Sequence, residues 1–152
     1  MTAMRRLALT MILLALAATY GAAKDETVEE LKARVDSAHP EDRAALCIRI
    51  AQHQLRNADK LYSDGQVEEA RVAVDDIVTY SEKARDDATQ TKKHLKNIEI
   101  DVRKIADKLR DIKRTLAFED QPPVEQAIRR LEDVRTTLLH QMFAKENKKE
   151  KK

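Results

Sequence analysis

The chain has 152 residues, of which 37% are charged and 3% aromatic, with 2 Gly, 3 Pro, 1 Cys and no Trp. Its 29 basic and 27 acidic side chains leave a formal net charge of +2, far from the basic footprint of a nucleic-acid binder. So little glycine excludes a Gly-rich phosphate cradle or a dinucleotide fingerprint, and the single cysteine, Cys47, excludes an intramolecular disulfide.

The first residues read as a signal peptide over 1–23. Arg5 and Arg6 form a basic region, Leu7 to Ala18 an apolar one, and Gly21-Ala22-Ala23 places small residues before Lys24, where a peptidase would cut. The apolar run is shorter than the ~20 residues a spanning helix needs. The expectation is therefore export to a bacterial periplasm or the exterior. The alternative is an uncleaved leader anchoring the chain in the inner membrane, the only way it would meet a membrane stably. Loss of Arg5 and Arg6 leaves 27 basic against 27 acidic side chains, so the mature chain is neutral. Residues 24–144 form the domain, and its composition and periodicity predict an all-α fold.

The first predicted helix covers about 27–37. Thr27 and Glu30 have capping-box spacing, and Val28, Leu31, Val35 and Ala38 form its apolar stripe. His39-Pro40 ends it, because the residue before proline leaves the helical region. The second helix covers about 41–63, with Pro40 in its first turn and a wide stripe from Leu46 to Tyr62. Ser63-Asp64-Gly65 is the tight turn, where Gly65 can adopt the left-handed conformation that closes a helix. The chain must then fold back as an antiparallel hairpin.

From Val67 to Leu116, apolar or small residues recur at 3–4 spacing without Gly or Pro. This predicts one long helix over about 66–118 with a coiled-coil-like seam. Its length would be ~75 Å at 1.5 Å per residue. The fourth helix covers about 123–145. Helices two and four each match half of the long one, which suggests hairpins on opposite ends of a central helix. A break near Asp86 to Thr91 would instead fold everything into a compact bundle. The tail 145–152 is Lys-rich, lacks apolar residues and is expected to be disordered.

Residues Ala58, Leu61, Gly65, Val67, Ala70, Val74 and Ile77 resemble the core positions of a single tetratricopeptide repeat. The resemblance covers residues 58–77 only, and Gln54 stands where that family has a large aromatic. It implies a helix–turn–helix hairpin that cannot bury its own face alone.

Catalytic sets are absent from the pattern. There is no Gly-x-Ser-x-Gly elbow. His39, His53, His94 and His140 form no i, i+4 pair, and none completes a Glu-x-x-His di-iron signature. Paired carboxylates such as Asp75-Asp76 and Asp86-Asp87 diverge by about 100° around a helix. The expectation is no catalytic, cofactor or metal residues and no enzyme. It is an exported protein acting by protein–protein contact, as scaffold, adaptor or chaperone-like binder. A ligand- or metal-binding bundle in the envelope is the alternative, with Ser81, Thr91 and His94 as its polar candidates. The candidate interface is the seam centre: Ser81, Ala84, Ala88, Thr91, Leu95, Ile98 and Val102. Small residues at Ala84 and Ala88 would permit the close approach of an antiparallel homodimer.

Overall fold

The computed structural model describes residues 26–149. Five helices run through them: α1 (Val28–Ser37), α2 (Pro40–Ser63), α3 (Val67–Thr91), α4 (Leu95–Thr115) and α5 (Gln121–Lys149), with a 3-10 turn at Phe118–Asp120. No strand occurs among the described residues, and the chain is all-α. Residues 1–25, which contain the expected leader 1–23, and residues 150–152 lie outside the described residues.

The helix ends follow their local chemistry. The Thr27 N–H donates to Glu30 Oε2 at 2.8 Å, and the Glu30 N–H donates to Thr27 Oγ1 at 3.2 Å, a reciprocal capping box. Pro40 opens α2, with Glu41 and Asp42 at its positive end. Gly65 has φ +76°. The Gly65 N–H donates to the Tyr62 carbonyl at 3.1 Å and the Gln66 N–H to the Leu61 carbonyl at 2.8 Å. Those two bonds close α2 as a Schellman motif, and the chain reverses into α3.

The predicted long helix is two helices. The break falls at Lys92-Lys93-His94, just beyond the 86–91 stretch where a break had been the alternative. Lys92 and His94 both have φ +59°, a left-handed conformation that costs an L-residue ~1–2 kcal/mol. Nothing local in the sequence demands it, since no Gly or Pro is present. Thr91 assists: its Oγ1 donates to the Asp87 carbonyl at 2.9 Å and accepts from the Lys93 N–H at 3.3 Å. The compensation is tertiary. The reversal lets the apolar stripes of α3 and α4 enter one core, where Ile77, Ile105, Leu109, Leu131 and Leu138 are fully buried. A straight helix would leave part of both stripes in water.

Polar pairs record the helix directions. Arg71–Asp120 at 3.2 Å, Glu82–Arg130 at 2.9 Å and Lys92–Gln141 at 2.6 Å are each 48 or 49 residues apart, so α3 and α5 are parallel. Glu41–Lys93 at 2.7 Å and Asp59–Lys108 at 3.1 Å advance together along α2 and α4. Arg43–Asp87 and Gln54–Asp76 run in opposite senses along α2 and α3. The result is an up-down-up-down four-helix bundle whose neighbours run α2, α3, α5, α4 around the ring. Helix α1 adds a short fifth element against α2. On the α4–α5 side, buried Glu99 accepts from Arg135 at 3.0 Å; Arg135 also reaches Glu132 at 2.7 Å, and Glu132 accepts from Arg110 at 2.5 Å.

Helix α5 also corrects the expected end at 145. It continues to Lys149, through the first half of the Lys-rich tail. Lys and Glu are good helix formers, and no Gly or Pro stops the helix there.

Replacing exposed His94 by Gly tests the break. In a left-handed position the substitution removes Cβ strain, and urea unfolding is expected to show a gain of about 0.5–1 kcal/mol. In an uninterrupted helix the same change would lose a similar amount.

Candidate functional site

The predicted interface residues are inside the molecule. Ser81, Ala84, Ala88, Leu95, Ile98 and Val102 are buried, and Thr91 is half-buried with its hydroxyl spent on Asp87. The seam is filled within one chain, so an antiparallel homodimer through Ala84 and Ala88 finds no exposed face there. Periodicity identified an apolar seam correctly, but it carries no information about which surface covers it. The polar candidates do not converge either. Ser81 and Thr91 lie on one helix, ~15 Å apart along its axis, and His94 is exposed at the break. His53 and His94 line different grooves. Among the described residues no group of three His, Cys, Asp or Glu could hold a metal ion.

The concave features cluster instead around α1. This helix lies against the α2–α3 hairpin with Val28, Leu31 and Val35 buried. Lys32 Nζ donates to Asp76 Oδ2 at 2.8 Å, and Gln54 Nε2 donates to the same oxygen at 2.7 Å. The Lys32 ammonium also stands 5.4 Å from the centre of the Tyr80 ring, with Lys83 at 4.9 Å. The bond to Asp76 raises the Lys32 pKa above its ordinary value. Glu26, just ahead of the helix, accepts from Arg34 at 2.5 Å and from Arg49 at 2.8 Å. The Arg34 bond holds its carboxyl below the ordinary range.

A cavity of about 320 Å³ opens where the C-terminal half of α1 meets α2 and α3. Val35 and Asp36 come from α1, Arg43 and Cys47 from α2, and Lys83, Asp86 and Asp87 from α3. Asp87, with 8% of its side chain exposed, is gripped by the Arg43 fork: Nε donates to Oδ2 at 2.8 Å, and Nη2 donates to Oδ1. Cys47 is fully buried, and burial pushes its thiol up to about 11, with the Asp87 charge adding to the effect. A nucleophilic cysteine needs the opposite shift. The carboxylate is neutralised and the thiol is protonated at neutral pH, so neither group is poised for bond chemistry. The Arg43–Asp87 pair spans 44 residues, and no spacing rule in the sequence could have found it.

Among the described residues, three large apolar side chains are exposed on the outer surface. Phe118 is 84% exposed, Val72 65% and Phe143 56%. Phe118 sits on the α4–α5 corner. That corner is pinned by the bond from the Asp120 N–H to the Ala117 carbonyl at 3.0 Å and by the Arg71–Asp120 pair.

Removing Arg43 would leave Asp87 charged and largely out of water. An Arg43→Met chain is expected to lose about 3 kcal/mol in urea unfolding, at the low end for a buried pair because Arg43 is itself 34% exposed. Adding Asp87→Leu should recover most of that loss; an additive second loss would mean the pair is not coupled. Compared with protein families, with curated proteins and with solved structures, the chain matches none.

Proposed function

We propose that this chain is an exported, non-enzymatic helical protein that acts through contact with another protein, as scaffold, adaptor or chaperone-like binder in a bacterial envelope. The observation that carries the reading is Phe118. An aromatic ring 84% exposed stands on a corner whose backbone is held in place, and aromatic side chains are the usual anchors of protein interfaces. Short connections of two or three residues in most places leave little room for a loop-built active site. The α2–α3 hairpin, which resembles one tetratricopeptide unit, is in keeping with a contact role. No helix among the described residues is long and apolar enough to cross a membrane, and export rests on the order of basic, apolar and small residues in 1–23.

Two measurements test this reading. Phe118→Ala should leave stability within about 0.5 kcal/mol, as an exposed substitution does, yet abolish capture of one defined partner from envelope extract by immobilised protein. Capture that is indifferent to Phe118, Val72 and Phe143 alike would refute contact through these side chains. Intact-mass measurement of protein recovered from cells should find a chain beginning at Lys24. A membrane-bound form retaining Met1 or Thr2 would replace export by anchoring.

A further inference from the structure

We infer that α1 is a displaceable occupant of the groove between α2 and α3. The groove would accept, from a partner protein, an amphipathic helix of the same chemistry: apolar side chains at i, i+3 and i+7 and a lysine at i+4. This rests on the contact function proposed above and names the site and its ligand class.

The first support is how lightly α1 is held. It is ten residues long, below the length at which an isolated helix is stable, and three side chains supply its buried apolar surface. Its cross-helix ties, Lys32–Asp76 and Glu26–Arg49, are only partly buried, so water reaches both pairs. The connection to α2 is extended at both Ala38 and His39. Helix α2 opens on its own Pro40, and the Asp42 and Arg43 N–H groups bond to the His39 carbonyl. Lifting α1 therefore leaves the start of α2 intact. Segments with few buried contacts open locally at a fraction of the global cost.

The second support is what the groove presents once α1 leaves. Gln54 keeps its bond to Asp76, so the carboxylate stays aimed at the place an ammonium occupies, beside the Tyr80 ring. The apolar positions taken by Val28, Leu31 and Val35 have the spacing of helix-in-groove recognition.

The third support is what α1 leaves uncovered. Beyond its N-terminus the groove continues past Gln54 and Asn57 to Leu61, Val72 and Ala73, a further 420 Å³, with Val72 65% exposed. A tethered helix has the advantage of effective concentration. A longer foreign helix gains the Val72 end, which α1 never reaches, and that difference lets it compete.

The test uses the full chain carrying Leu31→Glu, which undocks α1, and a fluorescein-labelled peptide of residues 26–38 as probe. Fluorescence anisotropy should show binding at least tenfold tighter to the variant than to the parent. A peptide with Lys32→Glu should lose at least tenfold, and an added Asp76→Lys in the protein should restore it. Cys47, fully buried at the cavity that α1 helps to wall, should react with a thiol reagent at least tenfold faster in the variant. Equal peptide binding to parent and variant, or charge reversal without rescue, overturns the inference. A peptide that fails to bind while Phe118-dependent capture persists removes the groove and leaves the contact function standing. A Leu31→Glu chain that is dimeric and ignores peptide would mean that a second copy fills the groove, which also overturns it. Should the variant not fold, hydrogen exchange of the parent decides: amides of Leu31 to Val35 should exchange at least tenfold faster than those of Ile48 to Ala51, and equal protection refutes the proposal.

Discussion

The whole arrangement depends on two left-handed residues. Lys92 and His94 turn the chain back where sequence alone writes an unbroken seam. Without that reversal, α2 and α5 would cover opposite ends of one rod, and there would be no common core. With it, α3 and α5 become parallel neighbours and α2 and α4 likewise, and the pairs 71–120, 82–130 and 92–141 fall into one register. The strain of two unfavourable dihedrals is a few kcal/mol at most. Removing two helical stripes from water returns considerably more, since each fully buried aliphatic side chain contributes about 1.5–3 kcal/mol. The balance is decided by burial, and the dihedrals accept its consequence.

Charge is deployed so as to leave few reactive groups. Across the helix interfaces, acids and bases neutralise one another, from Glu41–Lys93 at one end to Arg71–Asp120 at the other. The Lys93 bond holds the Glu41 carboxyl below its ordinary value. The deepest carboxylate, Asp87, and the only thiol, Cys47, share a cavity, yet the first is paired and the second protonated. Among the described residues, the large apolar side chains that reach the surface are Phe118, Val72 and Phe143. Helix α1 packs three buried apolar side chains and partly buried ion pairs against α2 and α3, and it stops short of Val72.

Much of the architecture was legible in the chain. The Thr27–Glu30 spacing marks a capping box, His39-Pro40 a helix boundary, and Gly65 a left-handed closure, and each acts through atoms within a few residues of itself. The apolar stripes are equally local, so the all-α class and the bounds of α1 and α2 followed from them. The C-terminal end of α5 did not, because a run of Lys and Glu is compatible with both helix and coil.

The break at Lys92–His94, the burial of the seam centre and the Arg43–Asp87 pair belong to tertiary structure alone. Ser81, Ala84 and Ala88 read as a contact stripe in either case; whether the partner is the chain's own helices or another molecule depends on how α3 and α4 are placed, and placement is a competition among whole burial patterns. The candidate site was illegible for the same reason. Its groove is built from α1, α2 and α3, with Asp76 meeting Lys32 across 44 residues and Gln54 across 22. Sequence periodicity determines which face of each helix is apolar, because that depends on 3.6 residues per turn. It does not determine which faces meet, because that depends on the total surface removed from water.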